Sequence, residues 1–85
     1  MSGSPKRIDD IASARSAHGV VPDDANDLPW VTRALYVGGE GNVHARLVDG
    51  TEVTFRSMKA GAVYAFEFIR IFATDTTATF MVALR

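Results

Sequence analysis

An all-β fold, a small antiparallel β-barrel or β-sandwich of about five to six strands behind an extended N-terminal arm, is predicted by three observations. From Val31 onward Val, Ile, Phe, Tyr and Thr dominate short runs, the residues that suit a pleated surface. Gly- and Asp-bearing segments, GGEG, DG, SMKAG and TDTT, punctuate those runs. No run carries a helix-length amphipathic period.

Residues 1–27 read as the arm and 28–85 as the β domain. Up to Asp27 the chain is rich in Ser, Asp, Ala, Gly and Pro and poor in large apolar groups, so the arm is expected to be disordered alone or ordered on a partner. Ile8 to Ala17 permits a weak helical turn capped by Asp9 or Asp10, but Ile8 and Ile11 give it too little apolar face to fold unaided. Trp30, at the junction, is placed either to pin the arm and anchor a partner or to cover the open end of the domain.

The strands are expected at Thr32 to Val37, Asn42 to Leu47, Thr51 to Arg56, Ala62 to Ala73 and Ala78 to Leu84. Side-chain parity constrains their turns. Val43, Ala45 and Leu47 share odd positions with Val53 and Phe55, so a two-residue Asp-Gly hairpin would put the two sets on opposite faces. A three-residue loop of Val48, Asp49 and Gly50 restores parity, with Gly50 left-handed, Val43 opposite Phe55, Ala45 opposite Val53 and Arg46 opposite Glu52. The same arithmetic gives a first hairpin through Gly39, Glu40 and Gly41, with Gly41 left-handed and Leu35 and Val37 meeting Val43 and Ala45. The fourth strand is apolar on both faces: Tyr64, Phe66 and Phe68 on one, Val63, Ile69 and Ile71 on the other. A bulge near Phe68 is one explanation, and a neighbouring subunit over one face is the favoured one, which makes Tyr64, Phe66 and Phe68, with Trp30, the candidate interface residues.

Composition narrows the function. A core of 85 residues hides only ~60% of the surface that the unfolded chain exposes. With no cysteine for disulfides and two histidines, His18 and His44, far apart in the chain, oligomerisation is the expected stabiliser. Nine Lys and Arg balance ten Asp and Glu, so no strong field points at nucleic acid or an anionic membrane, and partners are expected to be proteins. No segment is long and apolar enough to span a bilayer and the N-terminus lacks an apolar signal region, so a soluble chain made and kept inside a cell until assembly is expected.

No catalytic residues, metal ligands or cofactor site emerge. The serines lie mainly in the arm, while His44 takes an outward strand position, opposite or diagonal to Thr54. Asp23, Asp24 and Asp27 lack the glycine and distant Glu of a calcium loop and read as a turn held by Asx hydrogen bonds and ended by Pro29. GGEGN lacks the helix of a dinucleotide loop and the Lys-Ser/Thr of a P-loop. Arg33, Arg46, Arg56 and Arg70 are interleaved with Glu52 and Glu67, unlike a nucleic-acid stripe.

Asp27-Leu28-Pro29, the run Arg33-Ala34-Leu35-Tyr36-Val37-Gly38-Gly39, Asp49-Gly50 ahead of a Val-Thr-Phe strand, and Thr76-Thr77-Ala78-Thr79 before Val82-Ala83-Leu84 together resemble the spike-base (head spike) proteins of alphaproteobacterial tailed phages and gene transfer agents, over roughly 22–85. The resemblance implies a structural virion protein on the capsid surface, a pentamer at fivefold vertices, whose partners are itself, the capsid protein and a spike or fibre protein that contacts the host surface. It brings no catalytic residues and no cofactor. Trp30, Met58-Lys59 and the aromatic run Tyr64-Ala65-Phe66-Glu67-Phe68 depart from the family pattern. The rival readings are a tail, baseplate or capsid decoration protein and a free-standing β-module that binds carbohydrate or nucleic acid.

Overall fold

The computed structural model describes residues 14–85, and these build two antiparallel sheets from seven strands with no helix. The strands are β1 (Ala17–Gly19), β2 (Ala34–Gly39), β3 (Gly41–Leu47), β4 (Glu52–Met58), β5 (Ala62–Tyr64), β6 (Phe68–Ile71) and β7 (Thr79–Leu84). One sheet has the order β1-β7-β2-β5 and the other β4-β3-β6. They do not close into a barrel. Leu35, Val37 and Met81 from the first meet Val43, Ala45, Phe68 and Ile71 from the second in a sandwich core, the arrangement in which each sheet hides one face of its alternating side chains.

The β3–β4 hairpin has the register that parity requires. Val43 lies opposite Phe55, Ala45 opposite Val53 and Arg46 opposite Glu52. Gly50 takes a φ of 93°, a conformation that costs a side-chain-bearing residue about 1–2 kcal/mol, and the Asp49 carboxylate accepts the Thr51 N–H at 3.0 Å. Further along, the register shifts between Gly41 and Val43 where Ser57, at φ 56°, bulges out of β4 and donates its N–H to Asn42 Oδ1.

The first expected hairpin does not form. β2 and β3 belong to different sheets, and Glu40 is the corner between them. Gly41 is not left-handed; it is needed for space, because a Cβ there would sit 2.5 Å from the backbone nitrogen of Ala78. Gly39 is likewise pressed by Thr79, its register partner.

The long fourth strand is also corrected. It breaks after Tyr64, resumes at Phe68, and its halves join opposite sheets: β5 pairs with β2, and β6 with β3. Two apolar faces arise because the chain changes layer, so Tyr64 turns inward from one sheet and Phe68 from the other, while Val63 stays on an outer face. Thr32 holds this crossing. Its backbone N–H donates to Phe68 O, its hydroxyl donates to Phe66 O at 2.8 Å, and the same oxygen accepts the Phe68 N–H at 2.9 Å. At 2% exposure it is the buried polar residue among those described, and both hydrogen-bonding roles of its hydroxyl are filled.

Packing also reaches back before Leu28, into residues expected to form part of the arm. Ala17, His18 and Gly19 pair with Leu84, Ala83 and Val82. Asp23, Leu28 and Thr32 then donate their N–H groups to Ile71, Ile69 and Phe68, which closes the outer edge of β6 against further strand addition. Most of the helical turn expected over Ile8 to Ala17 lies outside the described residues; its end, Ala17, is in β1.

Replacing Thr32 with Val strands the Phe66 carbonyl and the Phe68 N–H in the interior. The expected outcome in urea unfolding is a loss of about 1–3 kcal/mol, with Thr32→Ser retaining most of the stability; an unchanged midpoint for Thr32→Val would remove Thr32 from this role.

Candidate assembly surface

The outer faces of the two sheets differ in kind. On the three-stranded sheet, His44, Arg46, Glu52, Thr54 and Arg70 share the outer face, where His44 and Arg46 pair with Glu52 and Arg70 pairs with Asp27. Arg46 donates to Glu52 at 2.5 Å, and that hydrogen bond holds the Glu52 carboxyl below its ordinary range. His44 is stacked on Phe72 with ring centroids 4.3 Å apart, its Nδ1 lies 3.0 Å from Thr74 O and its Nε2 3.6 Å from Glu52. Arg46 and Arg70 lie over the same Phe72 ring, so even the aromatic on this face is roofed by cations. The ionic groups of this face are thus largely paired within the chain.

The four-stranded sheet presents the opposite. Val63, Tyr36, Val82 and Gly19 stand in one cross-strand row, and Leu84 opposite Ala34 and Ala17 forms the next. Gly38 and Phe80 extend the face toward the start of β7, since a Cβ on Gly38 would lie 2.7 Å from that of Phe80. None of these positions bears a charge. Val63 is 52% exposed and Phe80 82%.

Phe80 is the most telling residue of the face. Its φ is 53°, a left-handed conformation that costs a bulky residue about 1–3 kcal/mol. Burying a Phe side chain contributes about 1.5–3 kcal/mol, which this one forgoes in the single chain. Backbone strain and exposure thus coincide at one apolar residue of this face.

A second apolar patch lies where β4 ends the other sheet. Val53 and Phe66 are each 37% exposed, and Val48 in the hairpin turn is 52% exposed. Phe55 packs on Phe66 at 4.9 Å between centroids, and Phe66 on Phe68 at 5.7 Å. β4 is an edge strand of its sheet, and residues 65–67, which bring Phe66 onto Phe55, are themselves exposed.

The four interface candidates thus separate. Phe68 is fully buried within its own chain and belongs to the core. Tyr64 is half-buried against that core, its hydroxyl accepting the Lys59 N–H at 2.8 Å. Phe66 remains on the surface. Trp30 is half-buried, with His18 at its edge and the Arg85 guanidinium 4.8 Å above its ring, so it packs the β1–β2 connection against β1 and the C-terminal residue. Tyr36, Val63, Phe80 and Val82 were not among the candidates, although Met81 with Ala83 and Phe80 with Val82 make the last strand apolar on both faces.

The acidic cluster is structural. Asp23 Oδ1 accepts the N–H groups of Ala25 and Asn26 in an Asx turn, and Arg70 Nε donates to Asp27 at 2.8 Å. Asp24 accepts both the backbone N–H and the hydroxyl of Thr74, and these bonds lower its pKa. Among the described residues no three His, Cys, Asp or Glu side chains gather as metal ligands. A shallow polar cleft lined by Asn42, Thr54, Arg56, Asp75 and Thr77 holds no acid-base pair beside a nucleophile.

The fold defines the class: an antiparallel β-sandwich of two sheets, one with an uncharged outer face. The chain matches no protein-family model and no curated protein sequence. Among solved structures it is similar to a chain in the "Capsid of native GTA particle computed with C5 symmetry", at 33% identity and a TM-score of 0.76, over 85% of this chain and 83% of that one. The chain belongs to the family of that gene transfer agent capsid chain, and with it to the structural virion proteins of gene transfer agent and phage particles.

The lowered Asp24 pKa has a pH signature. A carboxyl depressed in the folded state adds stability above its unfolded pKa and loses it as pH falls through the folded one. The melting temperature of Asp24→Asn is therefore expected below that of the parent at neutral pH, with the gap closing as pH drops past the ordinary carboxylate range; a gap that persists in acid would assign Asp24 a packing role alone.

Proposed function

We propose that the chain is the base of a head spike: a pentamer seated on the capsid at fivefold vertices, holding a spike or fibre that contacts the host surface. The observation that carries this reading is the 33% identity, across most of both chains, with a chain from a capsid computed with C5 symmetry. The uncharged outer sheet face supports it, because a chain this small that leaves Val63 and Phe80 bare gains stability by covering them with a partner. A vertex protein also needs separate surfaces for its own copies, for the shell and for the spike. The water-facing three-stranded sheet, the apolar four-stranded sheet and the residues ahead of β1 offer three such regions. We assign the shell contact to the N-terminal residues and the spike to the end of the ring away from them.

The test is to image particles assembled with and without this chain. The proposal expects an intact shell that has lost its projecting density at the fivefold vertices. Vertices that keep that density would refute the spike-base role, and a defect confined to the tail would move the protein to the baseplate.

A further inference from the structure

The two apolar patches of this chain differ in shape and in the charges at their ends. The sheet face, built on β2, β5 and β7, has exposed Arg15, Arg33 and Arg85 at one end, where the Arg15 N–H donates to Arg85 O and the Arg33 N–H to Leu84 O. Exposed Glu40 stands at its other end, just past β2. The edge patch, built on Val48, Val53, Phe55 and Phe66, carries the reverse. Exposed Asp49 and Glu67 meet at one end, where the Val48 N–H donates to Glu67 O, and exposed Lys59 follows β4 at the other. β2 has six residues and β4 seven, so both patches run for about 20 Å at the usual rise of a strand.

We propose that these patches are the two halves of one subunit contact, in which the sheet face of one copy takes the β4 and Phe66 edge of the next. Arg15 and Arg85 then face Asp49 and Glu67, Glu40 faces Lys59, and Phe80, near the Glu40 end, packs along β4 on the Lys59 side of Phe55. The occupant is a second copy of this chain because the charges at the ends of one patch are answered in order by those of the other. Different patches on the two sides make the contact heterologous, and a heterologous contact that closes gives a ring; a twofold dimer would instead set one patch against itself. The inference rests on the oligomeric reading above and adds to it the surfaces and direction of assembly.

Mixing spoiled subunits tests it. Phe80→Asp spoils the sheet face at a position where an exposed, left-handed Asp is tolerated. Phe66→Asp spoils the edge, and Val48→Asp does so from an exposed turn that leaves the core intact if Phe66→Asp fails to fold. Each folded variant alone is expected at monomer mass under conditions where the parent assembles. An equimolar mixture of the Phe80→Asp chain with a folded edge variant is expected at twice the monomer mass, since one intact contact remains and cannot propagate. A parent that assembles while the mixture stays monomeric, or a folded variant of either patch that assembles like the parent, overturns the head-to-tail pairing and leaves the oligomeric spike base standing. A parent that is itself monomeric overturns both.

Discussion

The architecture depends on the hydrogen bonds through which Thr32 fixes the crossing at 65–67. Residues 62–71 would otherwise make one continuous strand with more apolar side chains than a single sheet face can hide. The Thr32 hydroxyl occupies the Phe66 carbonyl and the Phe68 N–H, two groups a regular ladder would need, and so permits the break that sends β5 to one sheet and β6 to the other. A net hydrogen bond contributes only about 0.5–1.5 kcal/mol, but leaving its partners buried and unpaired costs more, which is why one threonine can decide a topology. Other crossings follow the same logic. Asn42 binds Ser57 through its side chain and Thr77 and Ala78 through its carbonyl, and the Gly61 N–H donates to Val37 O at the turn into β5.

This dependence explains what could be read from the sequence. Parity gave the β3–β4 register because hairpin pairing is local and one slipped residue inverts every side chain. The Asx turn at Asp23 was legible for the same reason: donor and acceptor lie within three residues. Layer membership was not. Alternation tells which residues share a face and is silent on which sheet a strand joins, so the corner at Glu40 read as a hairpin and the broken strand as a two-faced one. Gly41 misled because a glycine needed for close approach to Ala78 looks like one needed for a turn. Side-chain exposure was half legible: of the apolar residues of the fourth strand, the layer change draws Tyr64 and Phe68 against the core, while Phe66 and Val63, with Phe80 from β7, stay on the surface.

Fold and assembly are therefore linked through one economy of surface. Four changes of layer, at residue 40, at 59–61, at 65–67 and at 72–78, let a short chain make two sheets and a closed β6 edge. The remaining surface divides into a charged sheet face, whose ions are largely paired, and an uncharged one.

The most direct measurement of that central claim is the native mass of the purified chain over a range of concentrations. The account predicts a stable oligomer of five copies that persists on dilution. A folded monomer at every concentration would contradict it, because the sheet face of Tyr36, Val63, Phe80 and Val82 would then be stable in water without a partner.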